Sequence, residues 1–187
     1  MIDLSVRELP LFPLPEVVLF PQEVLPLHIF EERYKIMLKN VLEADRRFGV
    51  VRWDPKQNTI SNVGCCAEII QHQTSEDGRS NIVAIGQQRF RVLDIISEMP
   101  YRKAAVTWIE DSPVDNQDAL QAVSVEVKTA FNDVISLACK LKSAQLPPLD
   151  EIPDLARELS FWMAYNPYVR PIIEEQQNLL ELTDTKK

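Results

Sequence analysis

Apolar positions alternate with polar ones or with prolines through most of residues 1–111, and the period changes only once in that stretch. LPLFPLPEVVLFP (residues 9–21) sets bulky apolar residues among prolines. That pattern predicts edge strands and sharp turns, because proline cannot donate to a central ladder. VLPLHIF (24–30) continues it. In EERYKIMLKNVLEADR (31–46) Tyr34, Met37, Leu38, Val41 and Leu42 recur at three and four, with acids first and bases later, which predicts a helix. Strands resume with FGVVRW (48–53) and VGCCAEIIQHQ (63–73). Asp77-Gly78 predicts a two-residue hairpin turn of the primed type, which needs positive φ. The return strand NIVAIGQQRFRVLDII (81–96) is long enough that Gly86 predicts a bulge or bend, and KAAVTWIED (103–111) closes the β-rich part.

After Ser112-Pro113 the period becomes helical. Leu120, Val123, Val127, Phe131, Val134, Ala138 and Leu141 form one apolar stripe, with Asp115 as the expected N-cap and Leu146-Pro147-Pro148 as the stop. IPDLARELSFWMAYN (152–166) and VRPIIEEQQNLLELTD (169–184), divided by Pro167, predict two further helices. The expected class is α+β: a β-rich lobe over residues 1–112 and a helical bundle lobe over 113–187. The stripe has two uses, internal packing or docking of a partner, and burial of the two following helices takes it first.

Composition adds exclusions. At 187 residues, 45% apolar and 26% charged, the chain is an ordinary folded globular protein. Its four glycines, Gly49, Gly64, Gly78 and Gly86, cannot spell either GxGxxG or GxxxxGK[ST], so standard dinucleotide and phosphate-loop ATPase readings are out. The net charge of −8 divides into 13 bases against 16 acids up to Asp111 and 7 against 12 beyond it. That balance repels a phosphate backbone and favours protein partners. Three cysteines, two of them adjacent, argue for a reducing compartment; with no secretory pattern at Met1-Ile2-Asp3-Leu4 and no apolar run of membrane length, the expected location is cytoplasmic.

Candidate chemistry is sparse. Cys66 and His72 are expected on one face of a strand, but six residues at about 3.3 Å each keep them about 20 Å apart, and Cys65 points the other way. Buried structural thiols are the simpler reading. No CxxC or HExxH spacing is present, so neither a metal nor a cofactor is expected; His28 with Glu31 or Glu32 is the one fragment of a metal site that can be drawn. No SxxK pattern flags a Ser-Lys dyad among the ten serines. Arg89 and Arg91 flank Phe90, so both guanidiniums share a strand face and, with Arg79 and Arg102, would make a basic strip for an acidic peptide or anion; cross-strand ion pairs on a solvated face are the plainer use. Phe12, Phe20, Phe30 and Tyr34 either line a peptide groove or fill the core, and burial is the usual role of large aromatics.

Taken in order, LPLFPLPEVVLFPQEVLPLHIFEERYKIML, FGVV (48–51), VGCCAEI (63–69), GRSNIVAIGQQRFRVLDI (78–95) and AAVTWIED (104–111) resemble the N-terminal substrate-recognition domain of Lon proteases, and the likeness extends more loosely to LLELTD (179–184). The resemblance implies a PUA-like twisted β-barrel or sheet carrying one helix, followed by a helical bundle. The ATPase module and Ser-Lys peptidase that follow this domain in Lon enzymes have no counterpart here, which implies a stand-alone, non-catalytic module that recognises polypeptides for a protease or chaperone acting in trans. The related domain of cereblon is an adaptor, which keeps a scaffold role open. Many family members carry glycine where this chain has Pro15 and Gln22, and the ending Lys186-Lys187 suggests a trimmed helix. The resemblance transfers no binding residues; Phe12, Phe20, Arg89 and Arg91 are the peptide-contacting candidates read from the chain itself. The alternatives are a PUA-like RNA binder, disfavoured by charge, and a small hydrolase using an unrecognised serine or Cys139.

Overall fold

Strand β1 (Arg7–Pro15) carries three prolines, yet it is not an edge strand. Residues Arg7 to Pro10 pair antiparallel with β6 (Lys103–Trp108), while Leu11 to Pro15 pair parallel with β3 (Arg47–Asp54). In both ladders the other side is open, so a missing N–H has an unpaired direction in which to fall. The computed structural model describes residues 6–142, apart from the Lys142 side chain, and 151–185. The Pro147-Pro148 stop and Lys186-Lys187 lie outside the described residues. The other elements are β2 (Val24–Ile29), α1 (Glu32–Glu43), β4 (Thr59–Thr74), β5 (Ser80–Ser97), α2 (Gln117–Lys142), α3 (Ala156–Tyr165) and α4 (Ile173–Glu181). The architecture is mixed α+β.

The sheet order is β2-β5-β4-β3-β1-β6, and a further β5–β6 pairing closes the last five into a ring. β5 permits this because it is long: Ser80 to Ile85 pair with β2, and Phe90 to Ser97 pair with β6. Gly86 lies beside the irregularity between the Cys65–Arg89 and Ala67–Gly86 pairs, as expected. It is also the point of closest approach, since its N–H donates to Glu23 O and its carbonyl accepts from Gln22 N, each at 2.8 Å.

Alternation then divides the side chains. Leu9, Leu11, Val51, Cys66, Phe90, Ala104 and Val106 fill the ring, with the Phe90 ring taking the space left by Gly49 and Gly64. The outward set, including Phe12, Phe48, Val50, Cys65, Ala67 and Ile69, packs under Met37, Leu38 and Val41 of α1. A second outer region, Val18, Phe20, Val63 and Ile109, is covered by Phe161, Ala164 and Leu180, so α3 and α4 lie on the β body. α2 packs on α3 through Phe131, Leu159 and Trp162.

Four local expectations change. The β4–β5 turn is not a two-residue primed turn: Gly78 N donates to Ser75 O (3.0 Å) and only Gly78 takes positive φ (77°), which gives a four-residue turn ending in a left-handed glycine. Asn116 rather than Asp115 caps α2, its Oδ1 accepting the Ala119 N–H at 2.9 Å. A bulge at Ile70, between the Ile69–Ala84 and Gln71–Val83 pairs, puts His72 opposite Ile82 on the α1 side, away from Cys66. The α2 stripe is buried only in part: Phe131 is 2% exposed, but Val134 is 48% and Leu141 86% exposed.

Candidate polypeptide-recognition surface

Of the four sequence candidates, the fold brings Phe20 and Arg89 to one seam. Phe20 follows β1 on the outer wall, and Arg89 points to the same wall because it pairs with Cys65. Phe161 of α3 meets both, its ring 6.4 Å from Phe20 and 5.1 Å from the Arg89 guanidinium. The Arg157 guanidinium lies 5.9 Å from the centroid of the same Phe161 ring, so two cations share one aromatic. Arg89 donates to the carbonyls of Leu180 (2.8 Å) and Leu182 and to the Asp111 carboxylate, which also pairs with Arg157 at 2.6 Å. Burial pushes the Arg89 pKa down and Asp111 opposes that shift. Ser112 N donates to Thr183 O at 2.7 Å, Gln177 to Val63 O at 3.1 Å, and Arg170 to Glu23 at 3.0 Å. The seam therefore holds the chain's own residues, and the cavity left beside Phe20 and Phe161 is about 50 Å³, room for a few waters.

The other two candidates lie apart. Phe12 is buried on the α1 side, 4.2 Å from the Tyr34 ring and 6.1 Å from Phe48. Arg91 shares Arg89's face but is exposed. Arg79 pairs with Asp77 at the hairpin tip, about 33 Å from Arg89 by strand rise, so no continuous basic strip forms. Sequence reading missed Asp111, Arg157 and Phe161, whose contacts across the seam join residues tens of positions apart and leave no local signal.

Reactive groups are no better placed for catalysis. Burial pushes the Cys65 thiol well up and Cys66 up to about 12, so neither is a thiolate near neutrality. Ser80 Oγ is 3.4 Å from His72 Nε2, but Thr74 Oγ1 stands nearer at 3.0 Å and takes the same nitrogen. His28 bonds Asn81 (2.7 Å), while Glu31 and Glu32 pair with Arg33 and Lys35. Among the described residues no group of three or more His, Cys, Asp or Glu converges to hold a metal. No described helix is long and apolar enough to cross a membrane.

Two open features adjoin on the remaining surface. β4 beyond Glu68 and β5 before Gly86 project past the ring as a ribbon with β2 alongside. One ribbon face packs on α1 through Ile29, Ile69, Ile82 and Ala84. The other carries Val24, Ile70, Val83 and Ile85, none of them in a core cluster; Val24 is 56% and Ile70 49% exposed. At its base the ring mouth opens into a cavity of about 260 Å³ floored by Leu9 and Trp108.

This closed ring with flanking helices is the fold of solved Lon N-terminal domains. It is similar to the Lon N-terminal domain protein from Xanthomonas campestris (TM-score 0.68, 21% identity, 96% of this chain and 92% of that one). It also resembles the N-terminal domain of Mycobacterium avium complex Lon protease (TM-score 0.61, 14% identity, the same coverages). The family model described as ATP-dependent protease La (LON) substrate-binding domain matches residues 8–187, and the chain belongs to that family. Similar curated proteins include Lon protease 2 of Myxococcus xanthus (30% identity over 184 residues) and Lon protease of Escherichia coli K12 (26% over 189). The chain spans 22% and 23% of those proteins, while 95% and 96% of the chain is covered.

Proposed function

We propose that this chain is a non-catalytic polypeptide-recognition module, which binds apolar segments of client proteins and presents them in trans to a protease or chaperone in a reducing, cytoplasmic interior. The observation that carries the reading is the match of residues 8–187 to a substrate-binding domain family. The apolar ribbon face supports it, because exposed contiguous apolar surface commonly marks an interaction site. The ring closed by β5–β6 with α1 on its flank suits the PUA-like description, and the net charge of −8 favours protein over RNA. In this proposal exposed Arg91 is the polar handle, while buried Phe12, Phe20 and Arg89 set the shape of the surface. Titration of the full chain with a permanently unfolded, reduced and carboxymethylated polypeptide, followed by fluorescence anisotropy, tests the reading. Saturable binding is expected; no saturation by about 1 mM, equivalent to about 4 kcal/mol, overturns it.

A further inference from the structure

We infer that the ring mouth and the bare ribbon face form one binding site, in which an extended, uncharged polypeptide lies on the ribbon and inserts a large apolar side chain between Leu9 and Trp108. This inference rests on the proposed polypeptide recognition and names where it occurs.

Register makes the two features continuous. Arg47 pairs with Glu68, and Glu68 with Ile85, so the last ring positions at the mouth are the first of the ribbon. The face that holds Cys66 and Phe90 inside the ring runs out through the mouth as Glu68, then Ile70 and Gln71, opposite Val83 and Ile85. Alternation from Cys66 through Glu68 brings Ile70 onto that face, and the bulge there extends it by one residue, because Gln71 also stands against Val83 where strict alternation would return it to the α1 side. Ile82 to Ile85 is apolar on both faces, a pattern typical of strands covered on both sides, yet α1 covers only one.

The chemistry of the mouth selects the occupant. A cavity of about 150 Å³ accepts a benzene ring, so 260 Å³ accommodates one leucine, phenylalanine or tryptophan side chain. The rim has two cations, Arg7 and Arg47, and two anions, Glu8 and Asp45, with Arg47 already paired to Glu68 at 3.0 Å. With the Glu68 carboxylate counted, the mouth carries two cations against three anions, so it disfavours an acidic ligand and leaves apolar contact as the main attractive term. Strand addition at the β2 edge of the ribbon is blunted by Pro26, and the opposite edge, β4 beyond Glu68, carries the exposed polar run Gln71, His72, Gln73 and Thr74. The apolar contacts lie on the sheet face, and the polypeptide is held there by its side chains.

The test uses the full chain and an eleven-residue, uncharged peptide of alternating apolar residues with benzoylphenylalanine at its centre. Photocrosslinking followed by mass spectrometry is expected to place the adduct on residues 6–9 or on Trp108. Ile70→Lys and Val24→Lys change exposed residues and should each weaken binding at least tenfold, whereas Leu137→Lys on α2 should leave it unchanged. Adducts on α2, or unchanged affinity in both ribbon variants while the wild-type chain still binds, would overturn this site and leave polypeptide recognition standing. Absence of binding by the wild-type chain would overturn both.

Discussion

The Arg89 guanidinium of β5 is bonded to the Asp111 carboxylate at the start of the link to the helices, and through Arg89 that pair holds the carbonyls of Leu180 and Leu182. Three segments far apart in the chain are thus tied to one fully buried cation. Removing one partner of a buried pair leaves an uncompensated charge, which typically costs about 3–5 kcal/mol. Asp111→Ala is expected to lose stability in that range. Replacing both, as Arg89→Met with Asp111→Leu, should cost less than the sum of the single changes. Urea unfolding measures each, and a loss under about 1 kcal/mol for Asp111→Ala would contradict the assigned role.

Gly86 has no space for a side chain. A Cβ there would lie 2.0 Å from Phe20 O, a backbone atom that cannot rotate away. Gly86→Ala must push the 20–23 turn off β5 and break the two bonds it makes to Gln22 and Glu23. We expect a loss of about 3 kcal/mol, the upper range for overpacking, with the urea midpoint falling at constant slope.

Gln22 takes the opposite change well. Its φ of 69° lies in the left-handed region, where a residue with a Cβ is strained by roughly 1–2 kcal/mol. Gln22→Gly relieves the strain but adds freedom to the unfolded chain, so a net gain of about 0.5–1 kcal/mol is expected. A rise in thermal midpoint without change of far-ultraviolet circular dichroism would confirm it; a fall would refute it.

Burial raises the Glu23 carboxyl above its ordinary value of 4.5, against the Phe20 N–H and Arg170, which favour the anion. A carboxyl raised on folding takes up a proton. Its contribution is fully present below the unfolded value and is lost as pH climbs through the folded one. Wild-type stability relative to Glu23→Gln should therefore decline from about pH 4.5 upward, levelling once the folded-state value is passed. Denaturant titrations of both proteins at several pH values check the slope, and a difference that grows with pH would reverse the sign.

Much of the element sequence was legible because it rests on local periodicity. The helix at residues 31–46 appears as α1 at Glu32–Glu43, and the alternation through 81–96 appears as β5 with its irregularity beside Gly86. The shared face of Arg89 and Arg91 also follows from period two and is observed. The recognition surface was less legible. Val83 and Ile85 look like core in the sequence, and only the placement of α1 on one side of the ribbon shows that they lie on its uncovered face, half-buried beside exposed Val24 and Ile70. Trp108 and Leu9 meet because β1 and β6 pair, a relation between positions a hundred residues apart.

Side-chain alternation, helix period, glycine scarcity and charge were determined by the sequence alone, since each depends on neighbours within a turn or a strand step. Ring closure, the choice of which apolar face is covered, and the burial of Arg89 were decided only by tertiary structure. Those outcomes depend on which distant segments exclude water from the same surface, and the Ile70 bulge shows why local rules stop short: one extra residue in a ladder moves His72 to the opposite face.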